Sequence, residues 1–219
     1  MRAPLILVTG FGPFEKHRSN PSRIVAAALE HRPPRGLAVR ARELPVSFER
    51  APRELTRFVA RHARQRPILL LGLGVQRDGY FRFERRARGR FSTHRIDNDG
   101  VSGAALAAAV GPTLRTQVDL SALARALRRA GAHAVRLSND AGGYVCERTY
   151  HALLEAGLAH GIPAVFLHVP PASAVASRTQ VRLVRAMLET CFGGTPLPLS
   201  RARSAAATRR RPAATARTR

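Results

Sequence analysis

Three side chains in this chain of 219 residues belong to types that perform hydrolysis when they meet: Cys146, His168 and Glu84. Cys146 closes the run Ser138-Asn139-Asp140-Ala141-Gly142-Gly143-Tyr144-Val145-Cys146. There a strand pattern ends, paired glycines form a turn and a helix pattern opens. In the first turn of a helix, unpaired N–H groups and the helix dipole stabilise a thiolate and lower a cysteine pKa. The same N–H groups suit the oxyanion formed when sulfur attacks a carbonyl. A small cysteine packed against a sheet fits the spacing too, and from the loop alone that packing reading is the favoured one. His168 lies near the end of AVFLHV, just before Pro170-Pro171. A histidine there can take a thiol proton and later protonate a leaving amine. His17, His31, His62, His94, His133, His151 and His160 compete for that role. Most of them fall in helical or exposed patterns, and His133 precedes a strand, the wrong end for catalysis in an open α/β sheet. Glu84 ends the alternating stretch Phe81–Glu84. The two-residue period puts it with Arg82 and Arg86, opposite Phe81 and Phe83. Spacing therefore reads Glu84 as an ion-pair partner on a wet face and lends no support to a carboxylate that orients His168.

These residues need elements to carry them, and the hydrophobic pattern supplies strands alternating with helices. Pro4–Thr9, Pro67–Gly72 and Ala164–Val169 are short apolar runs suited to strands buried on both faces. Leu37–Val46 roughly alternates, as a half-exposed strand does, and a further strand is expected near Ala134–Leu137. Helices are expected from Pro21-Ser22 to about Glu30, over Ser47–Arg64 with Ser47 as N-cap, and over Leu120–Ala130. Two more are expected at Gly143–His160 and Val181–Cys191. This rhythm predicts one α/β domain with helices on both sides of a largely parallel, mixed sheet. Gly10-Phe11-Gly12 and Gly72-Leu73-Gly74 both follow strands, yet the third glycine of a dinucleotide fingerprint fails at Glu15 and Arg77, so a Rossmann cofactor site is not expected.

Composition narrows the function classes. There are 37 Lys+Arg against 14 Asp+Glu, a formal net charge of +23 and a pI near 11.9. Such a charge first suggests nucleic acid. However, all but one of the basic residues are arginines, scattered through nearly every segment, and aromatic residues make up only 5%. Neither feature describes a stacking platform or a single binding stripe. Nucleic acid is therefore not the expected partner, beyond non-specific contact with a basic tail. Seven arginines and no acid fall within Arg201–Arg219 among Ala, Thr, Ser and Pro. The expected organisation is a domain over residues 1–198 and a disordered tail over 199–219. No apolar run is long enough to span a bilayer, and the first residues do not read as a signal peptide. With Cys146 and Cys191 as its two cysteines and no CxxC or HExxH, the chain is expected to be cytoplasmic, with reduced thiols and neither metal nor cofactor.

Four blocks resemble the type I pyroglutamyl peptidases, also called pyrrolidone-carboxylate peptidases. They are VTGFGPF…NPS (Val8–Ser22), GLG…FE (Gly72–Glu84), SNDAGGYVCERTY (Ser138–Tyr150) and VFLHVPP (Val165–Pro171). The resemblance covers most of residues 4–192, and its Cys and His blocks are the most specific. It implies an α/β/α sandwich and a cofactor-free cysteine peptidase that removes N-terminal pyroglutamate (5-oxoproline) from small peptides. By the same resemblance Cys146 matches the nucleophile, His168 the general base and Glu84 the third member, while Phe11 and Phe14 match aromatic residues that contact the pyroglutamyl ring. The chain departs from the family at Glu15 and Lys16, where many bacterial members have glycines, and at Leu73, near a usual Gln. The departures at Leu73 and Glu15 motivate an alternative, a related cysteine amidase or peptidase of different acyl specificity. A non-catalytic basic binding protein on the same scaffold is the other. The sequence leaves the oligomeric state open, a homo-oligomer included.

Overall fold

The computed structural model describes residues 3–14, 19–90, 94–106 and 111–194. The expected tail, together with Glu15 and Lys16, lies outside the described residues. Thirteen strands and helices follow one another: β1 (Leu5–Phe11), α1 (Pro21–His31), β2 (Ala38–Leu44), α2 (Arg50–His62), β3 (Leu69–Val75), β4 (Phe81–Glu84), β5 (Arg86–Ala87), β6 (Leu114–Arg115), α3 (Leu120–Arg129), β7 (Val135–Ser138), α4 (Val145–His160), β8 (Ala164–Val169) and α5 (Ser177–Phe192).

The strand order is β2-β1-β3-β8-β4-β7, with the short β5–β6 hairpin set apart. β2, β1, β3 and β8 run parallel, whereas β4 is antiparallel to β8 and parallel to β7. The sheet is thus mixed, as expected, and its last two strands run against the other four. One hydrophobic cluster joins one sheet face to α1, α3 and α5, through residues such as Ile6, Leu71, Leu167, Val25, Leu123 and Val184. A second joins the opposite face to α2 and α4, through Leu7, Leu70, Phe166, Leu55 and Leu153. Two helical layers around one sheet make the α/β/α sandwich. Because every β1 residue and every β8 residue is buried, both strands are apolar without alternation.

Local chemistry starts the helices where expected. Asn20 Oδ1 accepts from Ser22 N at 3.1 Å ahead of Pro21, and Asp119 Oδ1 accepts from Ser121 N and Ala122 N at 2.9 and 3.0 Å. α2 begins at Arg50, three residues beyond Ser47, although Ser47 Oγ still accepts from Arg50 N at 2.9 Å. α5 begins at Ser177, four residues earlier than the apolar spacing suggested.

The wet face expected for the Phe81–Glu84 strand is largely covered, with only Arg82 keeping partial exposure at a cleft. β4 lies between β8 and β7, Glu84 is 0% exposed, and α4 covers the face that carries it. A two-residue period reports which residues share a face, but not whether a helix lies over it.

Candidate active site

The site forms where α4 packs over β3, β8 and β4. Register across these strands sets one face in order. Gly74 lies opposite His168, and Gly72 opposite Phe166. Arg82 lies opposite His168, and Glu84 opposite Phe166. Side chains alternate along a strand, so these residues all project toward α4, while Leu73, Leu167 and Phe83 enter the core beneath α1, α3 and α5. Leu73 therefore points away from the site, and its departure from the family's usual Gln alters no side-chain contact there.

The two glycines admit the helix. A Cβ on Gly72 would sit 2.5 Å from Phe166 Cδ2 and 3.1 Å from Leu153 Cδ2 of α4. A Cβ on Gly74 would sit 3.0 Å from Cys146 Sγ, 3.0 Å from His168 Cδ2 and 2.9 Å from Phe166 Cε1. The Gly72-Leu73-Gly74 segment thus serves close approach, and Cys146 and His168 meet over Gly74. The chain reaches this arrangement by an unexpected path. β7 runs opposite to β8, so the loop after Ser138 leaves the opposite end of the strands and turns back before α4. Gly142 and Gly143, at φ 98° and 65°, make that turn in a conformation side chains disfavour.

His168 is 2% exposed, and its Nδ1 lies 2.8 Å from Glu84 Oε1. A carboxylate oxygen only accepts, so Nδ1 is the donor, and in the neutral ring the lone pair is on Nε2. Arg82 Nε donates to the same Oε1 at 2.7 Å. The Tyr150 hydroxyl of α4 donates to the Glu84 carbonyl oxygen at 2.8 Å, tying helix to strand. Sequence spacing paired Glu84 with Arg82, and that pair exists. It is a buried pair beside an imidazole and not a surface one. The structure brings together all three reactive residues singled out from the sequence.

The expected depression of the Cys146 pKa is not found. Burial, and next the Glu84 carboxylate, push the thiol up to about 12, against smaller pulls from Arg82 and Arg95. Removal of water from the sulfur outweighs the start of the helix. Cys191 is buried against the opposite helical layer, far from this chemistry.

A cleft of about 830 Å³ opens over Cys146 and His168, bordered by Phe14, Tyr144, Arg82 and Arg95. A smaller apolar recess beside Cys146 is lined by Phe11, Phe14, Val46 and Tyr144. Phe11 is 4% exposed and forms part of the α2–α4 core, so it floors the recess, whereas Phe14 borders both cavities. Sequence reasoning missed Arg82, Arg95 and Tyr144. The Arg95 guanidinium stacks 4.5 Å from the Tyr144 ring centroid and 5.7 Å from that of Phe14. Tyr144 in turn donates its hydroxyl to Ile96 O at 2.9 Å. The loop carrying these groups is fixed by Asp97, whose carboxylate accepts from Phe48 N, Asp99 N and Val101 N at 2.8, 2.9 and 2.9 Å. Among so many arginines, nothing in the pattern marks Arg95. Among the described residues there is no group of three or more His, Cys, Asp or Glu placed to hold a metal ion, and no helix is long and apolar enough to cross a membrane.

An α/β/α sandwich holding a cleft-side thiol beside an imidazole–carboxylate pair has the architecture of a cysteine peptidase. Comparison narrows the class: the chain belongs to the pyroglutamyl peptidase family, which it matches over residues 5–189. A pyrrolidone-carboxylate peptidase of Ralstonia nicotianae is 31% identical over 173 residues, covering 76% of this chain and 78% of the relative. The crystal structure of pyrrolidone carboxyl peptidase from Thermus thermophilus is 30% identical with a TM-score of 0.67, covering 84% of this chain and 98% of that one. The fold is also that of the Thermococcus litoralis pyrrolidone carboxyl peptidase, with a TM-score of 0.74 at 22% identity over 85% of this chain and 92% of that one.

Proposed function

We propose that this chain hydrolyses the bond following an N-terminal pyroglutamate, with Cys146 as nucleophile, His168 as general base and then acid, and Glu84 as the carboxylate that orients the imidazole. The observation that carries the assignment is the 2.8 Å contact of His168 Nδ1 with Glu84 Oε1 beside a thiol packed over the same glycine, Gly74.

The thiol is neutral at rest, so its proton passes to His168 Nε2 as sulfur attacks the pyroglutamyl carbonyl. Glu84 stabilises the imidazolium that results. N–H groups at the start of α4 face the oxyanion, and the Arg95 charge favours it. Collapse of the intermediate breaks the C–N bond while His168 returns the proton to the departing amine. The thioester left on Cys146 is then attacked by water, whose proton goes to His168. Free pyroglutamate leaves as the thiol regains that proton.

Selectivity for a blocked terminus follows from charge. An ordinary peptide presents an ammonium, and Arg95 borders the cleft beside the reacting sulfur, while the Arg82 charge is paired with buried Glu84. Among the described residues lining the cleft the one carboxylate is Asp78, exposed at the rim. A neutral lactam escapes the repulsion, and the recess floored by Phe11 and edged by Phe14 suits its methylenes. Release of chromophore from pyroglutamyl, alanyl and prolyl arylamides tests the reading. Turnover of the pyroglutamyl substrate alone, abolished by Cys146→Ala, is expected. Equal turnover of all three would reject pyroglutamyl specificity, and turnover that survives Cys146→Ala would reject the nucleophile.

A further inference from the structure

The reaction needs a carboxylate to hold an imidazole, yet Glu84 Oε1 receives two donors. His168 Nδ1 lies 2.8 Å away and Arg82 Nε 2.7 Å away. Glu84 Oε2 is buried and accepts no hydrogen bond from a described residue. Arg82 lies directly opposite His168 across β4 and β8, and its partly exposed side chain borders the cleft. A guanidinium in this place has two effects of definite sign. It gives a fully buried carboxylate a charged partner, without which burying that charge would be costly. It also disfavours a second positive charge on the neighbouring imidazole, because like charges at close range repel.

We propose that Arg82 is a fourth member of the catalytic assembly, a positioning residue that acts through Glu84 and sets the lower pH limit of activity. This inference rests on the peptidase reading above. The groups facing the Glu84–His168 pair from the packed elements are Arg82 on β4, Cys146, Glu147 and Tyr150 on α4, and Arg95 on the loop bordering the cleft; β3 contributes only Gly72 and Gly74. The active form requires ionised Glu84 with neutral His168. Removing Arg82 lets the pair bind a proton more tightly, whichever of the two holds it. The acid limb of the rate profile therefore moves up in pH.

The test measures kcat/KM against pH for a pyroglutamyl arylamide in wild type, Arg82→Gln and Arg82→Lys, and follows the His168 ring by NMR titration, which needs no substrate. For Arg82→Gln the acid limb and the ring titration are expected to rise by about one pH unit, with activity on the limb falling about tenfold and recovering in alkali. Arg82→Lys keeps the charge and is expected to return the limb to within about half a unit of wild type. In a Glu84→Gln background, Arg82→Gln is expected to move the ring titration by less than it does beside an intact Glu84, because the part carried by the shared carboxylate is gone; an equal shift in both backgrounds would show that Arg82 does not act through Glu84. Where Arg82→Gln does not fold, Arg82→Met, with a stem of similar length, takes its place with the same expectation. An unmoved acid limb and ring titration in the uncharged variant would overturn the proposal, as would a limb shifted as far in Arg82→Lys as in Arg82→Gln. A wild type inactive on pyroglutamyl arylamide would instead defeat the substrate assignment, and the ring titration would still decide the role of Arg82.

Discussion

Gly74 is the point on which the site closes, since sulfur, imidazole and the Phe166 ring all crowd the place where its Cβ would be. Gly74→Ala is expected to cost about 1–3 kcal/mol of stability through overpacking. It is expected to lower kcat/KM by about a hundredfold or more, because a small displacement separates donor from acceptor. Thermal unfolding and steady-state rates measured together would check both. Gly142 offers the opposite case. Nothing lies within 4 Å of a Cβ there, but φ is +98°. Gly142→Ala should therefore lose about 1–2 kcal/mol through backbone strain alone. Cys146 yields a prediction with a sign of its own. With its thiol pushed up to about 12, the thiolate fraction grows throughout the accessible range. Alkylation by iodoacetamide should rise about tenfold per pH unit from neutrality upward in the His168→Ala variant, with no plateau. A plateau below pH of about 8 would show a preformed thiolate and contradict the burial argument.

At the scale of elements, α4 and β4 form one functional unit. The Tyr150 hydroxyl on the second turn of α4 donates to the Glu84 carbonyl at 2.8 Å, so one bond links the helix bearing the nucleophile to the strand bearing the carboxylate. Tyr150 is 0% exposed, and Tyr150→Phe would leave a buried carbonyl with one partner fewer. A loss of about 1–3 kcal/mol in chemical denaturation is expected. The short strand β4 also explains why Glu84 was hard to read. Its alternation correctly grouped Arg82 with Glu84 and set both against Phe81 and Phe83. Solvent exposure of that face is decided by α4, which begins more than sixty residues later in the chain and reaches β4 only through the fold. The apolar strands β1, β3 and β8 carried no such ambiguity, because burial on both faces leaves its mark in every residue.

At the scale of the molecule, the charge of +23 takes on a local meaning. Arginines border the cleft at Arg77, Arg82 and Arg95, so electrostatic steering reaches the site itself. A pyroglutamyl peptide with acidic residues after the first is expected to show a kcat/KM several-fold above its lysine counterpart at low salt, the gap closing toward about 1 M salt. Equal salt responses for the two peptides would show that the surface charge does not reach the cleft. The sequence by itself determined the alternation of strands and helices, the two-sided burial of β1, β3 and β8, and the candidacy of Cys146 and His168, because hydrophobic period and loop chemistry are local properties written in neighbouring residues. Only the tertiary structure decided that β4 and β7 run against the other strands, that Glu84 is dry and shared between Arg82 and His168, that Arg95 is placed over Tyr144, and that the Cys146 thiol is raised in pKa. Each of these depends on which distant segment covers a residue, and desolvation and charge pairing act through space with no period along the chain.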